Sequence, residues 1–143
     1  MADAKPLSKR AQRVLLLANL ESKRSGCAHV ASEHLLLGAL AYRSRTVSGA
    51  LTKAGLRLST LRSYIAEVGS APEDSPHGYG PSMHGALRRS VQHSAIARSP
   101  AIEPEHLLLG VLDEESGGAA RALCHFCVDA AAVKRTVIKR VKE

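Results

Sequence analysis

The feature that most constrains this chain is a six-residue segment that occurs twice. EHLLLG spans residues 33–38 and again 105–110, so the two copies lie 72 positions apart. A fixed period of this kind indicates two copies of one supersecondary unit that stack on each other. The same offset aligns apolar residues along the chain without a gap: Leu15 with Leu87, Val30 with Ile102, Leu40 with Leu112, Leu61 with Val133 and Ile65 with Val137.

The segment between the two copies has the composition of a linker. It reads GSAPEDSPHGYGP, residues 69–81, and is rich in glycine, proline and serine, which are typical of turns and connections. We therefore predict a single domain over residues 1–143, made of repeat 1 (about 8–68), the linker (69–81) and repeat 2 (about 82–141).

The pattern of apolar residues in each copy predicts four short helices. In the first helix Ala11, Val14, Leu15 and Ala18 recur at the spacing of one helix face. Aromatic residues make up 3% of the chain and tryptophan is absent, so the core must be aliphatic, which favours packed helices over a β-sandwich. The predicted fold class is all-α, with two tandem four-helix repeats and a pseudo-two-fold axis. The predicted helices cover about residues 8–24, 32–42, 46–54, 59–68, 82–97, 104–114, 118–126 and 130–141.

Several residues at or near helix ends have an expected structural role. Ser8 and Ser32 are predicted N-caps, because a serine side chain accepts a hydrogen bond from a free N–H group at the start of a helix. Pro104 is expected at the first helical position, where a missing N–H does no harm. Gly38 is expected to let two helices pack closely.

The chain shows no sign of a membrane or an export route. No apolar run approaches the roughly 20 residues that cross a bilayer, and the N-terminus lacks the apolar region of a signal peptide. The three cysteines have no disulfide-scaffold spacing, which agrees with a reducing compartment. We therefore predict a soluble, cytoplasmic protein.

Positive charge is concentrated in the first half of the sequence. Residues 1–69 hold 11 Lys/Arg and 4 Asp/Glu, whereas residues 70–143 hold 9 of each, which gives the net charge of +7. A basic surface favours an anionic partner. We prefer an acidic protein partner, or a charged face that only solvates the domain, because one Phe and three Tyr offer little surface on which bases could stack. A basic nucleic-acid-associated protein is the alternative.

The repeated segment resembles the N-terminal domain of the Clp ATPases, in particular of the ClpC and ClpA type, which is built from two four-helix Clp repeats. The first copy carries the motif of that family in Gly26, Val30, Ser32 and residues 33–38, and SKRAQRVLLLA is similar to its first helix. EESGGAARAL, residues 114–123, is similar to the loop and third helix of its second repeat. The resemblance covers nearly the whole chain and implies the all-α fold.

The resemblance also implies a function. We expect a protein-binding module of the Clp chaperone and protease system that recognises substrates, adaptors or Clp subunits. Since the sequence contains no GxxxxGK[ST] nucleotide-binding loop, we expect neither an enzyme nor a cofactor. A chain that begins with Met and ends after the eighth predicted helix is compatible with a stand-alone member.

The repeated glutamates are the first candidate site residues. A carboxylate in the first turn of a helix is stabilised by about 0.3–1 kcal/mol, so helix capping alone could explain both. In some ClpC-type domains, however, the matching glutamates hold the guanidinium of phosphorylated arginine, while N–H groups at helix starts bind the phosphate. We therefore expect both carboxylates to be open to ligands. The candidate residues for phosphoarginine or peptide binding are Glu33, Glu105, Ser8, Ser32, His34 and His106.

Two further patterns have a structural interpretation. His34 and His106 are expected to be hydrogen-bonded and partly buried, because a zinc site needs three or four converging ligands; no metal site is predicted. Cys124 and Cys127 have the CxxC spacing of redox motifs. Here the pair falls at the end of a helix in an all-α pattern, so we expect core or half-buried structural cysteines.

Overall fold

The computed structural model describes residues 5–69 and 78–142, and these ranges form eight α-helices. The predicted all-α fold with two four-helix repeats is confirmed. Most of the predicted linker, residues 70–77, lies outside the described residues. Repeat 1 contains α1 (Lys9–Arg24), α2 (Ser32–Ala41), α3 (Ser48–Lys53) and α4 (Leu58–Val68), and repeat 2 contains α5 (Pro81–Ile96), α6 (Pro104–Leu112), α7 (Gly118–His125) and α8 (Ala130–Lys142).

The offset of 72 residues holds in the backbone as well as in the sequence. Helices α1 and α5 both have 16 residues, and both of their ends correspond at this offset. Two left-handed turns also correspond: Gly26 with Arg98 after the first helix, and Gly55 with Cys127 after the third. Arg98 and Cys127 keep the positive φ of their glycine counterparts, although a side chain there costs roughly 1–2 kcal/mol. Tertiary packing therefore fixes the same turns in both repeats.

The central layer of the molecule is formed by α2 and α6, which carry the EHLLLG segments. Leucines 35–37 and 107–109 are all buried there. Gly38 lies against the backbone of α1, where an added Cβ would be 2.7 Å from the oxygen of Val14. Gly110 lies against α5, where an added Cβ would be 2.5 Å from the oxygen of Ala86. Both glycines therefore allow close helix packing, as the sequence predicts for Gly38.

The repeats also exchange short extended segments. Leu7, which precedes α1, forms a parallel bridge with Ile102 of repeat 2. Strand β2 (Gly78–Tyr79), which precedes α5, pairs in parallel with strand β1 (His29–Val30) of repeat 1. The two pairings correspond at the offset of 72. Each repeat thus contributes its leading segment to the other, and the pseudo-two-fold relation extends beyond the helices.

None of the helices in the two described ranges combines the length and the apolar character needed to cross a membrane.

Candidate functional site

The two motif histidines begin α2 and α6 in the same way. Nδ1 of His34 accepts the backbone N–H of Ala31 at 2.9 Å, and Nδ1 of His106 accepts that of Glu103 at 2.9 Å. Both imidazoles are buried, and burial lowers the pKa of His106, which favours the neutral ring that can accept at Nδ1. Within the described ranges, no three His, Cys, Asp or Glu side chains are grouped so that they could hold a metal ion.

This arrangement corrects the prediction that Ser32 caps α2. Ala31 is the N-cap, and Ser32 is the first helical residue. The Ser32 hydroxyl instead accepts the backbone N–H of Ala119, at the start of α7 in the other repeat, at 3.2 Å. A histidine three residues after the cap position satisfies the N–H at the start of α2, so the serine side chain is available for a contact between repeats.

Glu33 is buried between the repeats rather than open to ligands. Its residue is 3% exposed, and its Oε1 atom has no hydrogen-bond partner. The carboxylate lies directly against Gly118. The expectation of two open carboxylates is therefore wrong for Glu33. The physical reason is that α7 packs against α2 and covers the Glu33 side chain.

A second carboxylate of the chain occupies the start of α7. Oε1 of Glu114 accepts the backbone N–H of Ala120 at 3.1 Å. Burial raises the pKa of Glu114, against the opposing effect of hydrogen bonds from Ser32 and Ala120, and nearby Glu33 raises it further. Because the chain's own acidic groups already lie at this helix start, an anionic ligand would meet like charge there.

Ser8 is confirmed as the N-cap of α1. Its hydroxyl accepts the backbone N–H of Ala11 at 3.0 Å, and its own N–H donates to the oxygen of Ile102 at 3.0 Å. Both groups of Ser8 therefore take part in the fold. Ser8 is half-buried and does not line the cleft described next.

Glu105 is accessible to solvent, unlike Glu33 at the equivalent position of repeat 1. It is half-exposed and lines a solvent-facing groove of 360 Å³ between α5, α6 and α8, which we call the α6 groove. Three of the apolar side chains that line the groove are largely exposed: Ile96 at 79%, Ile138 at 43% and Val141 at 45%. The full lining is His93, Ile96, Ala97, Glu105, His106, Leu109, Ile138, Val141 and Lys142.

The equivalent groove of repeat 1 is smaller, at 250 Å³, and is lined by an ion pair. The Glu21 carboxylate, 4% exposed, accepts hydrogen bonds from Nε of Arg62 at 3.0 Å and from Nη2 at 2.6 Å. Hydrogen bonding to Glu21 raises the pKa of Arg62. At the positions of Ile96 and Ile138 this groove has Arg24 and Ala66. The repeat 1 groove is therefore smaller and has an ion pair and Arg24 in its lining, whereas the α6 groove is larger and has three exposed apolar side chains.

The counterpart ion pair in repeat 2 involves different groups. His93 replaces Glu21 and lies 2.5 Å from one Asp113 oxygen, while Lys134 donates to the other at 2.7 Å. Burial would raise the pKa of Asp113, but the hydrogen bonds from Lys134 and His93 outweigh it and lower the pKa. This network involves His93 at one end of the groove, and the exposed isoleucines remain uncovered.

The structure thus brings together two of the six predicted site residues, Glu105 and His106. Sequence reasoning missed Ile96, Ile138 and Val141. A comparison of the two copies could have found them, because each is a larger apolar residue than its counterpart or replaces a charged one. Ile96 corresponds to Arg24, Ile138 to Ala66 and Val141 to Gly69.

The CxxC cysteines are more exposed than predicted. Cys124 and Cys127 are both exposed, and only Cys27 is half-buried. The expectation of core or half-buried cysteines is wrong for the pair: Cys124 lies in α7 outside its buried face, and Cys127 lies in the left-handed turn that follows the helix. Between them, His125 stacks on Tyr64 of α4 with ring centroids 4.3 Å apart.

These features define a class of protein: a helical domain of two repeats. The two repeats have clefts at equivalent positions of the backbone, and different side chains line them. Comparison with known proteins then shows which family the chain is similar to. Residues 78–143 match the model of the Clp repeat N-terminal domain. Chaperone protein ClpB of Oceanobacillus iheyensis is 30% identical over 135 residues, which are 92% of this chain and 17% of that protein. A ClpA homologue of Cyanidium caldarium, an ATP-binding subunit of the Clp protease, is 29% identical over 139 residues, 95% of this chain and 16% of the relative.

The fold agrees with solved structures. The crystal structure of the N-terminal domain of ClpD from Arabidopsis thaliana superposes with a TM-score of 0.80 at 22% identity, over 96% of this chain and 95% of that one. The family-model match in repeat 2 and the similarity along the whole chain support a Clp N-terminal domain. The chain spans about a sixth of the length of the curated relatives that it matches.

Proposed function

We propose that this chain is a non-catalytic binding module that recognises polypeptide segments of substrates, adaptors or Clp subunits through the α6 groove. Clp N-terminal domains bind proteins such as substrates and adaptors in Clp ATPases, which supports the general role. The observation that carries the proposal is the uncovered apolar lining of the groove next to a half-exposed carboxylate. Exposed apolar surface of this kind is typical of a binding site.

The lining indicates which segments the groove accepts. Ile96, Ile138 and Val141 can bury aliphatic side chains of a partner, at about 25 cal/mol for each Å² of apolar surface removed from water. Glu105 can pair with an arginine or lysine beside those side chains, and an arginine can donate two hydrogen bonds to a carboxylate. The preferred segment therefore combines aliphatic residues with one basic residue.

Phosphoarginine is the special case that the family resemblance raises. Glu105 could hold its guanidinium, but the start of α6 offers little to its phosphate: Pro104 has no N–H, and the Glu103 side chain adds negative charge. In repeat 1 the matching carboxylate, Glu33, is buried under Gly118. The contacts at α6 favour an unmodified basic residue. Because Glu33 is buried, at most one glutamate of the domain, Glu105, is open to bind phosphoarginine.

The test uses fluorescein-labelled peptides that contain leucines and one arginine, in unmodified and phosphoarginine form. Fluorescence anisotropy is expected to show saturable binding of the unmodified peptide, reduced at least about tenfold by Ile96→Asp, since one well-packed aliphatic contact contributes roughly 1.5–3 kcal/mol. Glu105→Gln is expected to weaken the arginine peptide about threefold to tenfold while leaving a norleucine analogue unchanged.

Two matched variants serve as controls. Leu16→Asp removes another exposed aliphatic side chain, 54% exposed on α1, and Glu115→Gln removes another exposed carboxylate; neither lines the groove. Equal losses in Ile96→Asp and Leu16→Asp would refute the assignment to the α6 groove. Tighter binding of the phosphorylated peptide, lost with Glu105→Gln, would replace the unmodified residue by phosphoarginine as the ligand.

A further inference from the structure

A second cleft lies between the repeats and is lined by cationic side chains. It has a volume of 390 Å³, runs between α3 of repeat 1 and α8 of repeat 2, and is called here the α3–α8 cleft. The α8 residues that line it share one helix face, at spacings of three and four. The complete lining is Arg45, Lys53, Ala132, Arg135, Thr136, Lys139 and Arg140.

The cations of this cleft come from both halves of the sequence. Arg45 and Lys53 belong to the basic half, whereas Arg135, Lys139 and Arg140 belong to the half whose charges balance. Folding therefore concentrates positive charge in a way that the charge count of either half does not indicate. Among residues 5–69 and 78–142, no acidic side chain lines the cleft.

Most of these cations are available to a partner. Lys53, Arg135 and Lys139 are exposed, and none of them forms an ion pair with a residue in the two described ranges. Arg140 is held across the cleft, where its Nη1 atom donates to the backbone oxygen of Arg45 at 2.7 Å. Cations gathered in one cleft raise the local positive potential, which an anionic partner would lower.

The equivalent cleft on the other side of the pseudo-two-fold axis shows that the fold does not require this charge. It lies between α4 and α7, and its lining includes Ser63, Glu67, Val68 and His125. At the offset of 72, Ser63 corresponds to Arg135, Glu67 to Lys139, Val68 to Arg140, and His125 to Lys53. The same backbone geometry is thus lined by neutral, acidic and aromatic side chains in one place and by cations in the other.

The shape of the cleft indicates an extended polypeptide as its occupant. Ala132 and Thr136 are the small residues of the α8 face, so a partner backbone can approach between the flanking cations. The stretch 132–140 is about 12 Å long in a helix, which about four residues of an extended chain match. No aromatic residue of the described ranges lines this cleft, whereas proteins that bind single-stranded nucleic acid combine a positive groove with aromatic residues on which the bases stack.

We propose that the α3–α8 cleft is a second docking site, which binds an acidic segment of a partner protein in extended conformation. Carboxylates spaced along the segment pair with Arg135 and Lys139 on one wall and with Lys53 on the other. The site differs from the α6 groove in position and in the charge of its partner, so the domain can hold two segments of opposite character.

The experiment measures the anisotropy of a fluorescein-labelled oligoglutamate peptide with the whole chain. The double variant Arg135→Glu with Lys139→Glu is expected to weaken binding at least about tenfold, because two attractions become repulsions. The matched control is Lys9→Glu with Arg13→Glu, which makes the same charge change at an exposed pair of the same spacing on α1. The control is expected to weaken binding by less than about threefold, since screening limits distant charges.

A second measurement keeps the proposal testable if the double variant unfolds. Amide chemical shifts of the unmodified chain, titrated with the peptide, are expected to change along α3 and α8 and to stay constant along α5. Equal losses in the two double variants, shifts spread over the whole surface, or no binding at low salt would overturn the proposal. Tighter binding of a single-stranded oligonucleotide than of the peptide, lost with the cleft variant, would overturn the assignment to an acidic protein.

Discussion

Replacing Gly38 by alanine is expected to destabilise the domain, although alanine is the better helix former. The added Cβ would lie 2.7 Å from the oxygen of Val14 and 2.8 Å from the nitrogen of Ala18. Both atoms belong to the backbone of α1, so no side chain can rotate away. An ordinary contact of about 3.4 Å requires α1 and α2 to separate by about 0.7 Å, which opens the core on both sides of the contact.

The magnitude follows from two opposing effects. Overpacking a core costs about 1–3 kcal/mol, and the higher helix propensity of alanine returns up to about 1 kcal/mol. The free energy of unfolding should therefore fall by about 1–2 kcal/mol, and the melting temperature by roughly 2–8 °C for a chain of this size. Urea denaturation followed by circular dichroism measures the first quantity, and a thermal scan measures the second.

The chain offers a matched control for this substitution. Gly85 is also a buried helical glycine, but the nearest atoms to its added Cβ are guanidinium nitrogens of Arg89, at 3.2 Å, and Arg88, at 3.8 Å. These are ends of flexible side chains, so Gly85→Ala should leave stability unchanged or raise it by up to about 1 kcal/mol. A Gly38→Ala protein as stable as the unmodified chain would refute the argument that backbone contact sets the distance between α1 and α2.

Three further predictions concern ionisable groups and thiols. Arg62→Met should lower the free energy of unfolding by about 1–3 kcal/mol in urea, because it leaves the buried Glu21 carboxylate unpaired, and Glu21→Gln in the same chain should recover part of the loss. The fold lowers the pKa of His106 from the ordinary imidazole value of 6.5. Below that pH the unfolded chain therefore binds more protons than the folded chain, so the free energy of unfolding should fall as the pH drops through that value. A His106→Gln variant that keeps the same pH slope would contradict this. A thiol reagent should modify Cys124 and Cys127 rapidly in the native protein and the third cysteine more slowly, and a count of one or three rapid thiols would disagree with the structure.

The architecture can be predicted from the sequence because the residues that repeat at the fixed offset are the residues that form the core. The repeated leucines, Ser8 and Pro104 have the same role in the structure as in the sequence analysis. These roles depend on local patterns, namely helix periodicity and capping, which one copy reveals and the second copy repeats.

The candidate site is predicted less well, because it depends on contacts between repeats. Glu33 and Glu105 have identical flanking residues from the histidine to the glycine, yet one is buried by α7 and the other is half-exposed. What separates them is the neighbouring element: α7 packs against α2 and covers Glu33, whereas Glu105 lines the α6 groove. Identity within a motif therefore does not imply equal access, since a helix that begins 85 positions away in the sequence covers one of the two carboxylates.

The exchanged leading segments have a consequence for how this domain could change over time. Since the leading segment of each repeat forms backbone hydrogen bonds with the other repeat, removal of one copy would leave backbone groups of Val30 or Ile102 without these partners. Changes that preserve these bonds are confined to side chains, and the different linings of the equivalent clefts are changes of this kind.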